Sequence, residues 1–319
     1  MGLIANLTPD LVQQLIRDEE IPLRRKDRPP PTVAAVLRFG APVASTIQHH
    51  TQLARGMDHA RDLIRECESA GRSFSSGLVI VAEQLSGGRG RFQRAWHAPA
   101  GGLWMTVVLV NTLLPVSSSL YTLATGVAVG EAIAAVHPGA RLKWVNDVHI
   151  DGRKVCGILC ESLRGPVSGE EYLLLGIGIN VNNESFPPEL AGQAASLKQL
   201  LGREVDAGQL ARRVLAKLAW YIGLLHYEEQ QFLVASDAAT LTDPEQFEQF
   251  LAGRRHPLVE SWLALSDTVG RRVRFGYDVQ QKPLFEGVVA GIGCCGNISI
   301  RLSDGSLVNQ NSGEIVYLV

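Results

Sequence analysis

Apolar positions along this 319-residue chain recur with two different periods, and the periods predict its elements. Near the start, Thr8-Pro9 reads as an N-cap followed by a first-turn proline, and Leu11, Val12, Leu15 and Ile16 then form a stripe at helical spacing. Residues 24–32 are basic and then proline-rich, which predicts a linker. Short strands are predicted over 33–39 and 46–51. A helix over 58–70, with Ala60, Leu63, Ile64 and Cys67 on one face, closes at Gly71. Strands over 78–82 and 103–110 precede a helix over 119–136, in which Leu120, Leu123, Ala124 and Val127 share a side. A hairpin over 143–161 and a strand over 172–180 follow. Val214, Leu218, Ile222 and Leu225 mark a long helix over 209–231, and 244–252 also has a helical pattern.

From residue 268 the pattern turns to short β runs, at 269–275, 284–291, 297–302, 306–310 and 315–319. Gly, Asp and Asn separate them, which predicts a small barrel of about fifty residues. Strands broken by a few helices, without regular βαβ alternation, argue for an α+β fold. The expected division is a helix and linker over 1–32, a sheet domain over 33–265 and the barrel over 266–319.

Two stretches carry the candidate chemistry. The first, Gly87-Gly88-Arg89-Gly90-Arg91-Phe92-Gln93-Arg94-Ala95-Trp96, sets three arginines among small residues between two β runs. Glycine lets backbone approach a ligand closely, and arginine adds a planar, permanently charged donor array. The loop therefore suits phosphate or carboxylate; a solvated basic loop is the plainer reading. The second runs from Lys143 to Glu161 and contains Asp151-Gly152, a type I′ turn signal. A two-residue turn pairs Ile150 with Arg153 and His149 with Lys154. Because side chains alternate between faces, Lys154 and Asp147 should then point to the same side, with Asn146 where the strand begins. An exposed charged hairpin would have the same pattern.

Composition narrows the partners. A hydrophobic content of 46% with 19% charged residues fits a globular protein rather than a disordered one. A formal net charge of −2 provides no whole-chain attraction to nucleic acid or to an anionic membrane, so any basic patch must be local. The cysteines (Cys67, Cys156, Cys160, Cys294 and Cys295) contain no C-x-x-C pair, which favours reduced thiols over a zinc site. With neither a signal-peptide pattern nor a long apolar span, a cytoplasmic location is expected. Nothing groups Ser, His and Asp into a hydrolytic triad.

The two stretches, followed by Gly176-Ile177-Gly178-Ile179-Asn180-Val181-Asn182, resemble the biotin protein ligases in motif order and approximate spacing. A looser resemblance runs from about Thr46 to the C-terminus. It implies a class II synthetase-like catalytic domain, a mixed sheet with flanking helices, followed by an SH3-like β-barrel whose last strand starts near Ser312-Gly313-Glu314-Ile315. The implied reaction has two steps. Biotin and MgATP form biotinoyl-adenylate, and the adenylate then acylates one lysine of a biotin carboxyl carrier domain.

On this resemblance Lys154, Arg91 and Arg89 are the catalytic cations, Lys154 lying against the acid carboxylate and the α-phosphate. Arg55, Gly56, Leu85, Gly88, Arg89, Gly90, Gly101, Gly102, Trp104, Lys154 and Gly157 fall where the biotin pocket lies. Arg89, Arg91, Arg94, Trp96, Lys143, Asn146, Asp147 and Asn180 fall near ATP, with Asp147 a candidate Mg²⁺ ligand. The chain also departs from the family pattern. Arg55-Gly56 stand where Ser-Thr hydroxyls usually approach the ureido ring, with Ser45-Thr46 as an alternative match upstream. Leu85 replaces a usual glutamine, Gln84 being one place away, and Gln93 stands where glycine is common.

These changes fall on ring recognition and keep three readings open: a biotin protein ligase, a ligase for lipoate or another carboxylic acid, and a non-catalytic binding or regulatory homologue. The implied partners are biotin, ATP and a carrier domain, with neither DNA nor membrane. Some family members repress genes through an N-terminal winged helix, and one short N-terminal helix cannot supply such a domain, so it is expected to cap the main domain. Family members occur as monomers and as dimers, so a homodimer is compatible with the resemblance.

Overall fold

The computed structural model describes residues 6–235 and 256–318; the helix predicted over 244–252 lies outside them. Among the described residues, one sheet has the strand order β1-β2-β3-β7-β6-β5-β4. These strands are β1 (Thr46–Leu53), β2 (Leu78–Leu85), β3 (Leu103–Val110), β4 (Arg141–Lys143), β5 (Asp147–Ile150), β6 (Arg153–Arg164) and β7 (Glu171–Ile179). β1 and β2 run parallel and the other neighbours antiparallel. The sheet is therefore mixed, with helices on both faces.

Alternation along β2 explains the layering. Val79 and Val81 join the larger core, packed with α6 (Leu120–Ala134) and the long α8 (Ala207–Ala235). Leu78 and Ile80 face the other way, onto Met57, Ala60 and Ile64 of α4 (Gly56–Ser69). Burial of nearly every side chain in α6 follows from its place between sheet and α8.

At the N-terminus, α1 (Pro9–Leu15) continues through a wide turn into α2 (Ile21–Arg24), and α3 (Pro30–Gly40) follows. Two expectations fail here. The strand predicted over 33–39 belongs to α3, and Arg24 is no linker residue but lies in a buried ion cluster between α6 and α8. Proline at the first turn of α3 presets a helical φ, and Val33, Val36 and Gly40 recur on one face. That face crosses α8 closely: a Cβ at Gly40 would lie 1.8 Å from the Ala219 carbonyl oxygen, and one at Gly223 2.1 Å from that of Val36. The predicted first helix does pack on the main domain through α8.

After α5 (Pro115–Ser118), α7 (Leu197–Leu201) and α9 (Pro257–Ala264), the chain forms a second, antiparallel sheet. Its order is β11-β10-β9-β8-β12, from β8 (Arg272–Gly276), β9 (Phe285–Ile292), β10 (Ile298–Arg301), β11 (Leu307–Gln310) and β12 (Glu314–Tyr317). This small five-stranded unit is consistent with an SH3-like domain. The α+β reading and the five C-terminal β runs therefore hold.

Candidate active site

The Asp151-Gly152 turn sets the register of the central hairpin. Both residues have positive φ, 49° and 75°, and His149 pairs with Lys154 and Ile150 with Arg153 as the spacing predicts. A bulge then shifts the ladder, so that Asp147 lies opposite Gly157. Lys154 Nζ reaches Asp147 Oδ1 at 2.7 Å, and His149 Nε2 lies 3.8 Å from Asp147 Oδ2. Burial pushes the Asp147 carboxyl upward, but the Lys154 ammonium and His149 outweigh it and hold it well below the usual carboxylate range. Asn146 donates through Nδ2 to the Ile158 carbonyl, tying the start of β5 to β6.

Glycines at facing positions of β6 and β7 leave a bare patch of sheet beside this pair. Gly157 pairs with Gly178, and Trp96 lies over both. A Cβ at Gly178 would come within 2.8 Å of Trp96 Nε1, and one at Gly157 within 3.0 Å of the ring. Lys154 Nζ sits 5.3 Å from the centroid of the same indole. Trp104 packs edge-on against Trp96, their centroids 6.4 Å apart, and donates to the Pro99 carbonyl.

The glycine-arginine loop arches over this floor. Phe92 and Gln93 both have positive φ, 54° and 60°, in the left-handed region that non-glycine residues adopt at a cost of roughly 1–3 kcal/mol each. Arg89 donates to Gln93 Oε1 at 2.8 Å. Arg91 donates to the Gly313 carbonyl at 2.8 Å, and Arg94 grips both oxygens of Glu314 at 2.6 and 2.8 Å. The C-terminal barrel thus meets the loop directly. Burial lowers the pKa of Arg91 and of Lys143, against the pull of Asp147 and Glu314.

These groups enclose one cavity of about 530 Å³. Of the residues singled out in the sequence, Arg55, Gly56, Leu85, Arg89, Gly90, Arg91, Arg94, Trp96, Trp104, Lys143, Asn146, Asp147, Lys154, Gly157 and Asn180 line it. Gly88, Gly101 and Gly102 stand behind it: a Cβ at Gly88 would meet the Trp96 carbonyl, one at Gly101 the 182–183 backbone, and one at Gly102 the Trp104 ring. Asn180 is buried, accepting from Asn183 Nδ2. Gln84 pairs instead with Gln52 across β1 and β2, and Ser45 bonds the Ser76 carbonyl; neither side chain lines the cavity. Residues the sequence reading passed over also line it, among them Met57, Thr106, Phe186, Asp278 and Glu314. For Glu314 the signal was its place at the start of the last strand. The others lie in runs that read as ordinary helix, sheet or loop.

Residues 69–182 match the family model described as the biotin/lipoate A/B protein ligase family. The chain is 33% identical over 186 residues to the bifunctional ligase/repressor BirA of Bacillus subtilis, covering 56% of this chain and 55% of that protein. It is 31% identical over 198 residues to the biotin--[acetyl-CoA-carboxylase] ligase of Paracoccus denitrificans, covering 61% and 66%. The chain spans about half the length of several curated relatives it matches, the B. subtilis protein included. In fold it is similar to the biotin protein ligase of Aquifex aeolicus in complex with biotin and ATP, with TM-score 0.63 and 22% identity, covering 86% of this chain and 99% of that one. That likeness in fold extends over most of the chain. No described helix is long and apolar enough to cross a membrane.

Proposed function

We propose that this chain is an ATP-dependent biotin protein ligase, which activates biotin as its adenylate and transfers it to a lysine of a carrier domain. One observation carries the reading: Lys154, Arg91 and Lys143, from β6, the glycine-arginine loop and β4, line one cavity together with the apolar Met57, Ile80, Leu159 and Ile177. Joining a carboxylate to a triphosphate requires two anions to meet, and cations held in a part-buried site lower that cost. Apolar walls suit the body of the acid, and the cations suit the carboxylate and phosphates.

In this reading Lys154 exchanges Asp147 for the acid carboxylate and the α-phosphate as the mixed anhydride forms. Arg89, Arg91 and Arg94 leave their present partners for phosphate oxygens. Burial of Arg91 and Lys143 favours that exchange, because an anion restores the stabilisation that lost hydration removed. The carrier lysine provides the nucleophile, so the chain needs none of its own.

Magnesium belongs to the proposal as a companion of ATP. Among the described residues no cluster of three or more His, Cys, Asp or Glu side chains could hold a metal alone. Mg²⁺ is commonly bound through one or two carboxylates plus substrate phosphates, and Asp147 fits the role of that single carboxylate. When bound, the ion would neutralise phosphate charge.

The experiment is incubation with labelled biotin, MgATP and a carrier domain, comparing the parent with Lys154→Ala. The parent should label one carrier lysine and the variant should lose at least a hundredfold in rate, about 2.7 kcal/mol of barrier. Equal labelling by both would remove Lys154 from the mechanism, and no labelling by the parent would remove the function.

A further inference from the structure

We propose that Arg55 and Thr106 read the polar head of the acid, selecting a cyclic urea over a ring without hydrogen-bonding groups. The inference deepens the ligase reading and rests on it. Arg55 precedes α4, and its side chain is only 12% exposed. Its Nη2 donates to Glu161 Oε1 at 2.8 Å, and its Nη1 lies 3.3 Å from Asp58 Oδ1. The Nε donor, by contrast, is buried and has no hydrogen-bond partner among the described residues. A buried donor without an acceptor is costly, so its presence on a cavity wall points to an acceptor that arrives with the ligand.

The charge environment narrows the kind of acceptor. Glu161 binds both Arg55 and Arg61, and Asp58 also pairs with both, so the guanidinium of Arg55 is already compensated by carboxylates. A neutral carbonyl suits this donor better than a second carboxylate. The neighbouring walls are Met57, Ile80, Leu159 and Gly176, which offer an apolar surround.

The hydroxyl comes from a different strand. Thr106 on β3 lines the same cavity, and a Cβ at position 56 would lie 2.6 Å from its Oγ1. Gly56 therefore leaves room for a hydroxyl supplied from the sheet, where the sequence lacks hydroxyls at 55 and 56. A hydroxyl can accept from a ring N–H while the Arg55 Nε–H donates to the ring carbonyl. A cyclic urea carries both groups; a dithiolane carries neither.

The test uses the full chain and two conservative substitutions, Arg55→Lys, which keeps the charge, and Thr106→Val, which keeps the volume. Biotin and lipoate binding are measured calorimetrically, and KM for biotin and for ATP is read from biotin-dependent pyrophosphate exchange. Each substitution should raise the Kd for biotin about tenfold, or 1.4 kcal/mol, while KM for ATP stays within twofold. Unchanged biotin binding in both variants, or biotin and ATP constants rising together, would overturn the inference while a parent active with biotin leaves the ligase reading standing. A parent that binds lipoate and not biotin would overturn both.

Discussion

Arg91 and Lys143 each hold their charge where partial burial disfavours it. Lys143 should therefore lose its proton below the ordinary lysine value of about 10.4. A cation whose pKa is lowered binds phosphate fully only at lower pH. ATP affinity should accordingly begin to fall before pH 10.4 is reached, and Lys143→Arg, whose guanidinium stays charged, should move that fall to higher pH. The pH profile of KM for ATP in both proteins checks this, and superimposable profiles would count against it. Other site residues were legible individually because their chemistry is local. Lys154 and Asp147 share a face because a turn dipeptide sets the register, and Gln93 has the positive φ that the family's glycine would readily adopt.

At the level of elements, the mounting of the N-terminal helices depends on a buried ion cluster. Lys217 of α8 reaches Glu20 at 2.7 Å and Glu131 of α6 at 3.0 Å. Arg24 meets Glu131 at 2.6 Å and lies over the Trp220 and Tyr221 rings, and Tyr221 donates to Glu131 at 2.5 Å. Burial raises the Glu131 pKa, but Arg24, Lys217 and Tyr221 outweigh it, so the net shift is downward. A carboxylate with a lowered folded pKa contributes stability above its unfolded value, about 4.3, and loses it as pH falls through the folded value. Glu131→Gln should cost about 3 kcal/mol at pH 7, and the gap to the parent should close as pH falls below about 4. Denaturant unfolding at pH 7 and pH 3 measures both. None of this was visible in the basic, proline-rich run 24–32, because a linker and a helix-terminal arginine look alike until the partner on α8 is in place.

Across the whole molecule, the C-terminal β unit and the seven-stranded sheet share the site. Arg91 bonds Gly313 and Arg94 bonds Glu314 across more than two hundred residues of sequence. The Arg94–Glu314 pair must open if Arg94 is to meet phosphate, and Arg94 is 46% exposed, so the pair itself adds little stability. Glu314→Gln should lower KM for ATP about threefold, close to 0.6 kcal/mol, and shift unfolding by less than about 1 kcal/mol. A raised KM would mean that Glu314 supports the nucleotide rather than competing for Arg94.

The sequence by itself determined the α+β class, the small β unit at the C-terminus, the hairpin register and the cationic character of the two loops. Each follows from local periodicity, turn chemistry or residue charge. Tertiary structure decided that residues 30–40 form a helix, because an apolar run gains its period only from the surface that buries it, here α8. It also decided that Glu314 and Thr106 belong to the cavity and that Gly88, Gly101 and Gly102 stand behind it. Long-range packing sets those neighbours, and no spacing along the chain encodes them.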